Sequence, residues 1–333
     1  MNAGMGGWSR VGLLALLAGG PSSALAQGQA LPALYWEQPT DTAAALRSAG
    51  IGSVRVPPER VAAWRQAGLD ASPFPSAEKS GRVALPAPGI VGRGARASAT
   101  QRPWIDANGW RYQRQPQARY FQTVPRGVAA LAAAEVFAHD ADAVLAIDPG
   151  DIEPLGQALA LFRALPEGPR TGLADLAVVD DGSFAAGELM NLLARRNLLF
   201  RPVARATPEL ALNVELGSKA YPKSEAGNPE ALALKVRAQL TDERRSLRLF
   251  GSEVVLARLT GDAERLRLHL LNYGGREVEG LRVRLRGRWT PGEAHVLRHG
   301  RQAVEALLTE GGVTEFSLPV LGPYAVVDLA TAR

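Results

Sequence analysis

The chain has 333 residues, no cysteine and a formal charge of +5, with 46% of its residues hydrophobic. That length accommodates two or three domains with cores of their own, and the lack of cysteine excludes disulfides, thiolate metal sites and cysteine nucleophiles. The basic balance does not point to nucleic acid: lysine stands only at Lys79, Lys219, Lys223 and Lys235 while arginine is spread throughout, no nucleic-acid-binding module is recognisable, and the N-terminus reads as an export signal, so nucleic acid is not an expected partner.

Residues 1–26 have the layout of a cleaved signal peptide. Arg10 precedes an apolar run from Val11 to Ala18, and Ala24-Leu25-Ala26 ahead of Gln27 forms a small-x-small cleavage site. The apolar run is far short of the ~20 residues of a membrane span. The expectation is a secreted or periplasmic protein starting at Gln27, with no transmembrane segment in the mature chain.

Leu34-Tyr35-Trp36 predicts a first strand, Asp41 a cap for a helix over Thr42 to Ala49, and Ile51 to Val56 a second strand. Pro57-Pro58 opens a helix from Glu59 to Ala67, closed by Gly68. Residues 70–118 lose this regularity and read as an irregular loop holding Trp104, Asp106, Asn108, Trp110, Arg111 and Tyr112. Order returns at Tyr120-Phe121-Gln122, then a helix over Val128 to His139, a strand over Ala143 to Ile147 and a helix over Ile152 to Leu165. Pro166 to Arg170 reads as a hinge. A second α/β unit follows: strand Leu173 to Val179, helix Phe184 to Arg195, strand Leu198 to Val203 and helix Pro229 to Leu240. From Glu253 the period becomes two. Arg265-Leu266-Arg267-Leu268-His269-Leu270 and Leu281-Arg282-Val283-Arg284-Leu285-Arg286 set aliphatics on one face and cations on the other.

The fold class is therefore α/β followed by all-β, and the order of parts resembles the modular glycoside hydrolases. The resemblance rests on Leu34-Tyr35-Trp36-Glu37 at the start, on Asp175 to Val203 with Asp180-Asp181-Gly182-Ser183 at a strand end, and on His269-Leu270-Leu271-Asn272-Tyr273, Val283-Arg284-Leu285 and Pro323-Tyr324-Ala325-Val326-Val327-Asp328-Leu329 in the tail. It implies a (β/α)-barrel-like domain over 27–169, an amidotransferase-like α/β domain over 170–252 and an antiparallel β-sandwich over 253–333. Only about 140 residues are available for the barrel, against about 200 or more for a complete one, so either the barrel is truncated or only an α/β layer remains.

The resemblance also implies carbohydrate, or an envelope glycan, as the partner, and hydrolysis by two carboxyl groups. Glu37 follows the first strand and Asp148 follows the strand ending at Ile147, so these are the candidate catalytic pair; loop and turn building are the competing roles. Trp36, Trp104, Trp110 and Tyr120 are candidates for an aromatic sugar platform, and Asp106 for bonding sugar hydroxyls. Glu135, inside an otherwise apolar helix, needs a partner if buried, with Arg55 and Arg111 the candidates. Ser183 lacks the G-x-S-x-G setting of a hydrolase nucleophile, and His295 and His299 lack a metal-site pattern. No cofactor is expected. The same architecture serves an active glycoside hydrolase or a non-catalytic envelope protein that binds carbohydrate or assembles, with the β tail as a possible homo-oligomer surface.

Overall fold

The computed structural model describes residues 31–91 and 104–332. The signal peptide expected over 1–26 lies outside the described residues. Among them no helix is long and apolar enough to cross a membrane.

The first unit is a parallel α/β layer. Its elements are β1 (Ala33–Tyr35), α1 (Ala43–Ser48), β2 (Ser53–Val56), α2 (Val61–Gln66), β3 (Asp70–Pro73), α3 (Ser76–Ser80), β4 (Val83–Leu85), β5 (Gly89–Val91), β6 (Trp104–Asp106), α4 (Gly109–Arg114), β7 (Arg119–Val124), α5 (Ala129–His139), β8 (Asp142–Ile147) and α6 (Ile152–Ala164). Gly50 and Gly68 take positive φ directly after α1 and α2, the left-handed position that lets a helix stop and turn into the next strand. Six strands form one sheet in the order β3-β2-β1-β8-β7-β4, and every pairing in it is parallel.

The sheet is rolled but not closed, since β3 and β4 are its two edges. In a flat sheet β3 and β7 would lie about 19 Å apart, four steps of about 4.8 Å. Yet Phe74, one residue beyond β3, and Phe121 of β7 have ring centroids 6.0 Å apart, and Tyr35 of β1 packs against both. This is an open, rolled parallel layer, in keeping with the short length, with α3 laid over the open side. Residues 70–118 are more ordered than their composition suggests: β3 to β6, α3 and α4 all fall there, and 92–103 lie outside the described residues.

The convex face of the sheet carries the main core, including Leu34, Trp36, Val54, Val56, Tyr120 and Leu145. The helix α5 is buried from Ala129 to Ala138, because Ala-Ala-Leu-Ala-Ala-Ala-Glu-Val-Phe-Ala offers no polar stripe to water. It is covered by α4, α6, β8 and the later β module. Where α6 crosses the end of α1, Gly156 is required. A Cβ there would sit 2.1 Å from the carbonyl oxygen of Ala49, a backbone atom with nowhere to go. Gly→Ala inside a helix ordinarily stabilises by about 1 kcal/mol. For Gly156→Ala the sign should reverse, with urea unfolding showing a loss of about 1–3 kcal/mol, the usual cost of overpacking.

The second unit contains β9 (Leu176–Val179), α7 (Phe184–Arg195), β10 (Phe200–Val203), β11 (Leu212–Glu215) and α8 (Pro229–Leu240). Its parallel sheet runs β10-β9-β11. Ser183 and Asn228 cap the two helices, accepting from the N–H of Ala186 at 3.2 Å and of Ala231 at 3.2 Å. The core of this unit joins Val178, Met190, Leu193 and Val236.

The third unit is an antiparallel sandwich of β12 (Leu247–Phe250), β13 (Val255–Gly261), β14 (Arg265–Asn272), β15 (Val278–Arg286), β16 (Trp289–Val296), β17 (Gly300–Gln302), β18 (Glu305–Glu310), β19 (Val313–Leu321) and β20 (Tyr324–Thr331). Its sheets run β12-β15-β19-β18 and β13-β14-β20-β16-β17. The strand β12 pairs with β15, so the sandwich begins before Glu253. On β15, Leu281, Val283 and Leu285 face the sandwich core while Arg282 is exposed and paired with Glu315. The cation face of β14 behaves differently. Arg267 and His269 are buried, because the outer face of that sheet docks on α5 and the linker after α6. His269 meets Phe137 edge-on, and Arg267 bonds the carbonyl of Pro166 at 2.7 Å.

Candidate functional site

Register decides which side chains share the inner face of the rolled sheet. Tyr35 pairs with Arg55 and with Ala146, and alternate residues on neighbouring strands face the same side. Glu37 and Asp148 each lie two residues beyond the paired positions Tyr35 and Ala146. Glu37 thus follows β1 and Asp148 follows β8, two adjacent parallel strands, at their C-terminal ends. Each is held locally. The Tyr35 hydroxyl donates to Glu37, and burial together with that carboxylate pushes the Tyr35 phenol up to about 12. Asp148 accepts from the N–H of Gly150 at 2.8 Å as a helix-start cap.

Below the rim, α3 fills the open side. The Lys79 ammonium lies 4.8 Å from the centre of the Tyr35 ring and 5.0 Å from that of Phe121, a cation held between two π faces. Arg55 bonds Glu78 at 3.2 Å. Arg82, whose side chain is 2% exposed, joins Glu78 at 3.0 Å to Asp142 at 2.8 Å.

The aromatic platform expected from the sequence does not form. Trp36 points to the convex side, 1% exposed, with its indole N–H donating to Thr42 at 2.9 Å. Tyr120 is buried edge-on to Tyr112 at 4.9 Å, its hydroxyl donating to the carbonyl of Gln115 at 2.8 Å, and burial pushes its phenol up to about 12. Trp110 belongs to the core of the second unit. Period two accounts for Trp36: if Tyr35 and Glu37 face inward, Trp36 faces outward.

Trp104, Asp106 and Arg111 gather instead where the paired strands β5 and β6 and α4 meet α7. Arg111 bonds Asp106 at 3.1 Å and stacks 4.5 Å from the centre of the Trp110 ring. The Arg195 guanidinium lies 4.1 Å from the centre of the Trp104 ring. Arg114 grips Asp180 with two bonds of 2.8 and 2.7 Å, which ties α4 to the strand end where Asp180-Asp181-Gly182-Ser183 stands.

Glu135 is fully buried, and neither Arg55 nor Arg111 is its partner. It accepts from the Asn108 backbone N–H at 2.8 Å, the Asn108 side-chain amide at 3.1 Å and the Tyr273 hydroxyl at 2.6 Å. Burial outweighs these donors and pushes the carboxyl from 4.5 up to about 7. Tyr273 lies 138 residues away in sequence, so no local signal announces it. Next to this bond is a cavity of about 40 Å³ where the three units meet, lined by His139, Arg258 and Tyr273 among others. Burial keeps His139 well below its ordinary value and lowers Arg258 to about 10.

A larger cleft, about 480 Å³, lies between the second unit and the sandwich. Arg195, Arg196, Arg237, Arg245 and Arg248 line it. The doublets Arg195-Arg196 and Arg244-Arg245 were its only trace in the sequence. Among the described residues no group of three or more His, Asp or Glu is placed to hold a metal ion; His299 instead meets Glu277 at 2.8 Å.

The parallel α/β layer followed by an antiparallel all-β region is a build that this chain shares with a solved glycoside hydrolase. The chain is similar in structure to α-L-fucosidase isoenzyme 2 from Paenibacillus thiaminolyticus, with a TM-score of 0.51 and 10% identity over 83% of this chain and 71% of that one. A rhamnosidase from Novosphingobium sp. PP1Y aligns at TM-score 0.45 and 10% identity over 82% of this chain and 38% of its own. A GH42 β-galactosidase from G. stearothermophilus aligns at 0.36 and 9% over 61% and 51%. No protein-family model matches the chain, and no curated protein matches it.

Proposed function

We propose that the protein is an exported, carbohydrate-acting protein of glycoside-hydrolase build, with Glu37 and Asp148 as its carboxyl pair. The observation that carries this reading is the register. Glu37 and Asp148 follow β1 and β8, which pair in parallel, and neighbouring strands stand about 4.8 Å apart. That spacing suits the ~5 Å carboxyl separation of a retaining mechanism. In that arrangement one group protonates the leaving oxygen and the other attacks the anomeric carbon. Glu37, 58% exposed at its side chain and oriented by Tyr35, suits the nucleophile, and Asp148 the acid. Export rests on the features of residues 1–26.

The test is reducing-sugar release from a panel of α-L-fucosides, α-L-rhamnosides and β-galactosides by the purified protein, repeated with Glu37→Gln and Asp148→Asn. Each substitution is expected to cut turnover by about a hundredfold or more while leaving glycan binding in place. Turnover unchanged in both variants would remove the pair from the mechanism. A second reading, a non-catalytic carbohydrate-binding envelope protein, is favoured by the unclosed sheet. It predicts glycan binding with no turnover in the unmodified protein.

A further inference from the structure

The cleft between the second unit and the sandwich has a charge imbalance that its own residues do not settle. Arg237, Arg245 and Arg248 converge on the single carboxylate of Asp242, at 3.9, 3.2 and 3.0 Å. Arg196 is paired with Glu230, and Glu253 is the other acid in the wall. Three guanidinium groups thus share one carboxylate beside a single concavity. One carboxylate among three cations leaves a positive field, and a concave wall focuses it. The Arg245 side chain is only 6% exposed, and burial lowers its pKa, so keeping it charged there costs solvation that a bound anion would offset.

The geometry also suits an extended ligand. Arg248 stacks on Phe250, with its guanidinium carbon 5.0 Å from the ring centre, and Arg195 stacks on Trp104 at 4.1 Å. Stacking occupies the flat face of a guanidinium and directs its N–H groups outward in the ring plane, where they match carboxylate or sulfate oxygens. Phe250 is 38% exposed, so an apolar surface borders the cations, as the C–H face of a pyranose requires. A volume of about 480 Å³ falls within the range of small-molecule sites and holds a few sugar rings.

We propose that this cleft binds an acidic saccharide, one carrying carboxylate or sulfate groups along its length. The anion part rests on the cleft alone; the saccharide part rests on the carbohydrate reading above. The site is separate from the Glu37 rim and would hold the charged chain while the rim meets another part of it.

Calorimetric titration of the full chain with trigalacturonate, neutral galactotriose and triglutamate tests both parts. Trigalacturonate is expected to bind, with affinity falling steeply as salt rises, and the neutral trisaccharide to bind at least about tenfold more weakly. Arg237→Gln/Arg248→Gln should lower trigalacturonate affinity by about tenfold or more, whereas Arg282→Gln on the exposed face of β15 should leave it unchanged. Competition by inorganic sulfate on the unmodified protein gives the same answer if the double variant fails to fold. Equal affinity for the acidic and neutral sugars, or no competition by sulfate, would overturn the site. Triglutamate binding as tightly as trigalacturonate would overturn the saccharide assignment. The Glu37→Gln variant, assayed alongside, separates this result from the catalytic one: it should lose turnover and keep the salt-sensitive binding.

Discussion

Asp328→Asn is expected to destabilise the protein by about 3 kcal/mol in urea unfolding. Arg267 is 2% exposed, and Asp328 meets it with two parallel bonds, Nε to Oδ1 at 2.6 Å and Nη2 to Oδ2 at 2.8 Å. Losing one partner of a buried ion pair strands the other charge, at a typical cost of about 3–5 kcal/mol. The low end applies because the Asp328 carboxylate is 34% exposed and water screens part of the attraction. The same guanidinium bonds the carbonyl of Pro166 at 2.7 Å, and a Cβ on Gly168 would come within 2.2 Å of its Cζ. The pair thus straps the linker between the first two units onto the sandwich. Trypsin should cut the Asp328→Asn variant after Arg163 or Arg170 sooner than it cuts the unmodified protein. Arg267→Met combined with Asp328→Asn should cost less than Asp328→Asn alone, since no charge is left buried. If the single substitution costs under about 1 kcal/mol, the strap carries little of the stability.

What the sequence discloses follows the strength of its local patterns. The helices α7 and α8 lie over Phe184–Arg195 and Pro229–Leu240 as their periodicity predicted, because each combines a capping residue with a run long enough to show an amphipathic period. The strands β3 and β4 were hidden. They are three or four residues long, largely exposed and set among Pro, Ser and Gly, so no alternation marks them. On β14 the alternation was legible and what covers the cation face was not. Arg267 and His269 look like Arg282 and Arg284 in sequence, and only the docking of α5 against one sheet separates a buried cation from a solvated one.

The candidate site divides in the same way. The positions of Glu37 and Asp148 just beyond β1 and β8 follow from local reading. The aromatic platform failed for a reason the sequence already contained, since consecutive residues of a strand face opposite ways and Trp36 cannot accompany both of its neighbours. The arginine cleft was beyond reach. Its cations come from the end of α7, from α8, and from β12 and the turn before it, brought together by packing between units.

Glu135→Gln is expected to gain stability relative to the unmodified protein by about 3 kcal/mol between pH 5 and pH 8. The folded carboxyl sits at about 7 against an ordinary 4.5. Between those values the folded state holds a proton that the unfolded chain has released, so raising the pH through 7 removes stability. Burial is the cause, and the donors Asn108 and Tyr273 only moderate it; Asp106 adds repulsion and Tyr112 lies close by. The imidazoles of His139 and His269 act in the opposite direction. Burial keeps both well below 6.5, so the unfolded chain takes up protons that the folded state refuses, and stability falls as the pH drops below 6.5. Between about 4.5 and 6.5 the two contributions therefore oppose each other, the carboxyl favouring the lower pH and the imidazoles the higher. Subtracting its unfolding free energies from those of Glu135→Gln cancels the histidine contribution and isolates the carboxylate. Tyr273→Phe, which deletes a donor to that carboxylate, should move its titration upward and steepen the loss at alkaline pH. A difference curve flat from pH 5 to 8 would mean that Glu135 is ionised throughout, held by its three donors, and that the junction of the units does not respond to protons.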